Sequence, residues 1–471
     1  MLDNPTALHL ANRLGFGPAQ GSLAHIGGLG FDGYVDEQLN PKTNQLPDAL
    51  QSALHAIPSY GKDTPTLYRD FWWRVQMQNP GKPTREERRM LKPITNQVPD
   101  QSRTARLMRA IASPWQLQET MVEFWFNHFN VYEKKQACRI WTGAYEDEAI
   151  RPHTLGRFSD LLLATARHPA MLVYLDNARN VAPVPGGTTD NPRRKLTGIN
   201  ENFAREVMEL HTLGVDGGYT QADVTALAYI LTGWTVGGDR ETGEPIKGGF
   251  HFAVARHDPS PQTLLGRRFS GGEEEGQAAL LMLAHHPSTA RHISFKLAQY
   301  FVADQPPAQL VSAMAQEFQK TDGDLRAVMR TMLSSKEFRD PAGFGKKFKT
   351  PYQYVVSSAR ATGHDFHNVQ GLIATLRQLG QPLYGCVTPD GYACTQSAWL
   401  DPDAMMRRIS FAVSFGNGAY SGQGDATPAD GGRLLETIGP ELSAATRAAL
   451  AKTSKPLWAG AILGSPDFMR C

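Results

Sequence analysis

Glu206, Glu209 and His211 lie close together in the stretch Asn200 to Trp234, NENFAREVMELHTLGVDGGYTQADVTALAYILTGW. On a helix wheel Phe203, Val207, Leu210 and Gly214 form an apolar stripe, and Asn202, Glu206, Glu209 and Leu213 form the face beside it. A carboxylate at the margin of an apolar stripe is partly desolvated, which raises its pKa and prepares it as a general acid. Glu206 takes that role here. His211 sits across the stripe near the helix end, where the dipole favours a charged imidazole. The plainer use of the same residues is i,i+4 pairing of Glu201 and Glu209 with Arg205 on an exposed face. Asp216, in the glycine-rich corner LGVDGGY, is a candidate for substrate binding.

A second polar group lies on PWQLQETMVEFWFNHFNVYEKK. Leu117, Met121, Phe124, His128 and Val131 make one stripe, and Val122, Trp125, Phe126 and Phe129 cover most of the rest, so this helix is expected to be nearly all buried. The strip of Glu119, Glu123, Asn127 and Asn130 must then meet polar partners inside the protein or line a cavity. Glu123 or Glu209 supplies a second carboxylate beside Glu206. Glycosidic cleavage needs such a pair, an acid on one side of the bond and a base or nucleophile on the other. Asn127 and Asn130 would hold substrate, and Trp125, Trp234 and Trp399 would serve as sugar platforms. A metal-dependent alternative uses His128, Glu206, His211 and His257 around a divalent ion, although no HExxH spacing is present. No GxSxG elbow points to a serine nucleophile.

The helices that must position these groups follow from periodicity. Gly214 suits a C-cap, and Thr220 to Asp223 fits the capping pattern of a second helix with Val224, Leu227, Ile230 and Leu231 buried, so the stretch reads as a helical hairpin. Gln101–Ser113 and Arg85–Lys92 read as amphipathic helices, the latter basic. Residues 182–198 form a loop rich in proline and glycine, either a lid carrying Arg193, Arg194 and Lys195 or a disordered insertion. Residues 249–269 alternate like two strands about Asp258-Pro259, a β-hairpin with His257 and Asp258 at its tip as substrate-binding candidates. Residues 384–403 form an aromatic loop, and LSSKEF at 333–338 is echoed by LGSPDF at 463–468.

With 48 basic and 46 acidic residues among 471, the charge balance indicates no nucleic-acid footprint. No stretch approaches a spanning helix, and MLDNPTALHLANRLGFG lacks the pattern of a signal peptide. Cys386 and Cys394 flank a turn and would bridge in an oxidising compartment, the alternative being two buried thiols. The expected fold is mainly α, a single large multi-helical domain over 1–471 with a small β-hairpin insertion.

HLANRLGFGP, FWFNHFNV, NENFAREVMELHTLGVDGGYTQADV, LTGW, HPSTARHISFKLAQYF and GYACTQSAWLDP occur in an order that resembles the large bacterial family catalogued as domain of unknown function 1800. The resemblance implies a mainly helical protein, often exported and frequently encoded beside a sulfatase-like protein. It supplies no activity. The residues themselves favour a hydrolase or lyase acting on a glycan or related extracytoplasmic polymer, periplasmic or secreted, without a required cofactor. The rivals are the metal-dependent enzyme and a non-catalytic export or assembly partner of a sulfatase-like protein.

Overall fold

Helix starts are fixed by short polar side chains. Asp63, Thr220, Asp324, Ser335, Thr350 and Asp401 each accept a backbone N–H of the first turn, satisfying donors that a helix leaves orphaned. At Thr220 the expected capping box is complete, with Asp223 returning a bond to the Thr220 backbone. The echoed motifs share one device: Ser335 and Ser465 each accept the N–H of a phenylalanine three residues on, and both rings, Phe338 and Phe468, are buried.

The computed structural model describes residues 2–42, 45–73, 85–183, 198–237, 248–420, 427–438 and 442–471. It is mainly α-helical, with two small antiparallel two-stranded sheets. One apolar core runs from Ala7 to Met469, and a small satellite of Leu50, Ala53, Leu54, Ala105 and Met108 lies beside it. Helix Gln116–His128 passes through the core as its pattern predicts, with all but one of its residues buried. Among the described residues no helix is long and apolar enough to cross a membrane.

Three elements differ from the sequence reading. The two expected amphipathic helices, 85–92 and 101–113, are one, Arg85–Ala112, which continues through Pro93 and Pro99. The helix that carries Glu206 changes character after Asn202–Glu206 and continues as a π-helix over Val207–His211. Residues 249–269 do not pair about Asp258-Pro259. Phe250–Phe252 pairs instead with Trp234–Val236, while Gln262–Leu264 pairs with Arg267–Phe269. The second hairpin turns at Leu265-Gly266, both at positive φ, the geometry of a two-residue primed turn matched to strand twist. The expected lid at 182–198, with Arg193, Arg194 and Lys195, falls almost entirely outside the described residues.

Candidate active site

The polar strip of helix Gln116–His128 finds partners at every step. Glu119 accepts two bonds from Arg151 Nη1, at 2.9 and 3.0 Å. Glu123 accepts the Tyr300 hydroxyl at 2.5 Å. Asn127 clamps the backbone of Tyr392, donating to its carbonyl at 2.8 Å and accepting its N–H at 2.7 Å. Asn130 donates to the carbonyls of Cys386 and Thr388. The two asparagines therefore hold the 385–392 loop against the helix, work that consumes the groups expected to bind substrate.

Glu123, Asn127 and Asn130 line an inner cavity of about 30 Å³, room for a water or two. Arg106 and Tyr384 line it as well, and both also line an outer recess of about 230 Å³. Arg106 is held between the rings of Phe126, Tyr352 and Tyr384 and pairs with Glu146 at 3.0 Å. Glu146 also pairs with Arg151 at 3.1 Å and accepts the Tyr384 hydroxyl at 3.1 Å. This buried network walls the recess and places Asp147 and Glu148 on its surface.

Glu146, Asp147 and Glu148 open a π-helical turn, Glu146–Ile150, on helix Cys138–Tyr145. The wide turn sends successive carboxylates along one wall of the recess. Solvent reaches 37% of the Asp147 side chain and 39% of the Glu148 side chain, so both are open to a ligand although protein surrounds the recess. Their proton affinities diverge. Burial raises Asp147 above the ordinary aspartate value, and Glu146 adds to it, outweighing the pull of Arg151 and Arg109. Burial pushes Glu148 the same way, but hydrogen bonds from His168 and Thr64 win and hold it below the ordinary glutamate value. Thr64 donates both its N–H and its hydroxyl at 2.8 Å. His168 Nδ1 accepts the Ala170 N–H, so its proton sits on Nε2, facing the Thr64 hydroxyl at 3.0 Å. Arg109, which donates to the Tyr60 hydroxyl, lines the recess with Lys62.

Glu206 lies elsewhere. It is half-buried, and burial raises its pKa as expected, with Glu209 and Asp390 adding to the shift. It does not line either chamber. Arg205 pairs with Glu201 at 3.1 Å and with Glu209 at 3.7 Å, the ordinary helical pairing. His211 is buried at 1% exposure, its Nε2 has no partner among the described residues, and burial lowers its pKa to about 3. A charged imidazole at the helix end is thereby replaced by a neutral core ring. His128 donates to the His211 carbonyl at 3.2 Å, and burial holds it neutral too. Asp216 is exposed on the glycine corner.

Two of the three expected sugar platforms are core residues. Trp125 and Trp234 are both 0% exposed, Trp125 donating to the Thr154 carbonyl and Trp234 stacked beneath Arg167. Trp399 remains half-buried, 6.2 Å from the Tyr392 ring. His257 is also structural: one ring nitrogen faces the Thr232 carbonyl at 2.9 Å, and the other accepts the Gly272 N–H at 3.0 Å. Asp258 accepts the Ser260 N–H in a local turn. Among the described residues no group of three or more His, Cys, Asp or Glu is arranged to hold a metal ion. All four cysteines are free, with Cys386 against Thr388 and Cys394 against Gln299.

Reading the sequence passed over Asp147, Glu148 and Arg106. Their trace in the sequence is AYEDEAI, three consecutive acids beside an apolar run, a pattern that equally fits a solvated turn.

A family model described as a protein of unknown function, DUF1800, matches residues 9–470. No curated protein and no solved structure matched the chain.

Proposed function

The chain belongs to the DUF1800 family, whose description names no activity, and from the chemistry of the recess we propose an acid–base hydrolase or lyase acting on a glycan or related extracytoplasmic polymer. The observation that carries this reading is the pair Asp147 and Glu148, two solvent-reached carboxyls lining one recess, the first beside Arg151 and the second bonded to Thr64, with proton affinities displaced in opposite directions. Such divergence orders the roles: of the two, the raised group is the better placed to carry and donate a proton, and the lowered group to be ionised. Asp147 would protonate the oxygen of the leaving group. Glu148, oriented by Thr64 and His168, would attack or stabilise the positive charge that develops at the cleaved carbon. A carboxylate held ionised by three donors is a weak base, which favours hydrolysis over elimination.

Several features support a polyhydroxylated substrate. Tyr60 presents its ring in the outer recess, and Tyr392, which lines the inner cavity, lies 6.2 Å from the half-buried Trp399. Glu123 stands behind Arg106 as a second buried acid, raised by burial against the pull of Tyr300 and Arg106.

The test is a screen of neutral and acidic polysaccharides for release of reducing ends, with wild type, Asp147→Asn and Glu148→Gln compared. Either substitution should lower kcat at least about 100-fold with the fold intact, the scale of general acid or nucleophile loss. A polysaccharide cleaved equally well by all three proteins contradicts the assignment.

A further inference from the structure

On the far side of the chain's first helix, Asn4–Arg13, two cavities meet. One is an open apolar groove of about 630 Å³, formed mainly by Leu435, Leu450, Ala451 and Trp458. The other is a smaller pocket of about 50 Å³ containing Lys349 and Arg470. Leu442 lines both, so they adjoin. Asn4 borders the groove, and Leu8 and Asn12 border the pocket. At i, i+4 and i+8 these three share one helix face and span about 12 Å. The result is a trough, mostly apolar at one end, where Glu436 and Arg447 also line it, and carrying two cations, Lys349 and Arg470, against the acid Asp467 at the other.

Lys349 is an unusual group to find there. The residue is 4% exposed, its ammonium lies 4.3 Å above the Phe468 ring, and its hydrogen bond goes to the Ser357 hydroxyl at 2.8 Å. Among the described residues no carboxylate oxygen lies within 4 Å of it. Asp467 lines the same pocket but accepts the Ser443 N–H at 2.9 Å. Arg408, also buried without an ion pair among the described residues, donates to the Lys349 carbonyl and leaves Nη1 without a partner. Burial, with Arg408 adding against a pull from Cys471, lowers the Lys349 pKa to about 8, which still leaves it charged at neutral pH. A buried cation without a counter-charge is costly, and an anion at the pocket offsets that cost.

We propose that this trough binds a medium-chain fatty acid, its carboxylate on Lys349 and Arg470 and its chain along Leu442, Leu450 and Trp458. The charge selects the head and the adjoining groove selects the tail. The site is separate from the Asp147 recess, and its test is independent of any polymer cleavage.

Octanoate, 1-octanol and acetate are titrated calorimetrically into the full chain, with melting temperature as a second readout. Octanoate should bind saturably at one site and raise the melting temperature, with octanol and acetate each at least about tenfold weaker. Lys349→Met should weaken octanoate at least about tenfold, and Leu8→Trp, which fills the trough without touching a charge, should do the same. Absence of saturable octanoate binding overturns the proposal. So does octanol binding as tightly as octanoate, or a folded Lys349→Met with unchanged affinity. Should Lys349→Met fail to fold, unchanged octanoate affinity in Leu8→Trp overturns it alone.

Discussion

Glu123 shows how a single side chain couples burial to pH. Its folded-state pKa lies above the ordinary glutamate value because burial outweighs Tyr300 and Arg106. Protonated Glu123 therefore contributes stability at low pH that is lost as pH rises through the folded value, about 1.4 kcal/mol for each unit of separation. Glu123→Gln keeps an acceptor for Tyr300 and removes the charge. Urea unfolding should show the variant gaining on wild type as pH rises from 4 to 8, and a constant difference across that range would count against it. This residue was legible in the sequence because a polar strip on an otherwise apolar helix has to be satisfied inside. Asp147 and Glu148 were not, since EDE reads as a solvated turn until Arg106, Arg109 and Arg151 are brought around it by other helices. Glu206 misled for the converse reason: helical spacing gives the edge of a stripe but not whether that edge faces a cavity.

At the scale of elements, the asparagine clamp on the 385–392 loop depends on one glycine. Gly391 has φ +73°, and a Cβ there would overlap the carbonyl and carboxamide oxygens of Asn127. Left-handed strain alone costs roughly 1–2 kcal/mol, and the overlap adds to it. Gly391→Ala should lower unfolding free energy by more than about 2 kcal/mol and disturb Tyr392 beside the inner cavity, measured by urea denaturation. A change below about 0.5 kcal/mol, the scatter of neutral surface substitutions, would show that the clamp is not rigid. Helix starts and burial were readable from caps and periodicity, as at Thr220 and along Gln116–His128. The π-helical turns at Glu146 and Val207 were not, because one extra residue per turn leaves no mark in an apolar pattern of helical period. Strand pairing failed for a related reason: Phe250–Phe252 is too short to choose its partner, and the turn chemistry of Leu265-Gly266 decided the other pair.

Over the whole molecule, the mainly helical architecture followed from periodicity, whereas the meeting of distant helices around one recess did not. The same core makes the fold acid-sensitive. Burial lowers His9 and His211 to about 3 and His292 to about 4, and holds His128 well below its ordinary value. Each is neutral when folded and protonates on unfolding below about pH 6.5, so stability present above that pH falls as pH drops, by about 1.4 kcal/mol per unit for each ring. Urea unfolding between pH 7 and 5 should reveal a decline steeper than one proton accounts for, and a flat profile would contradict neutral burial. The divergence of Asp147 and Glu148 is open to direct observation by carboxyl-carbon NMR titration of the wild-type chain. Asp147 should titrate above the ordinary aspartate value of 3.8 and Glu148 below the ordinary glutamate value of 4.5; Asp147 titrating below Glu148 would leave the recess without a proton donor and contradict the assignment.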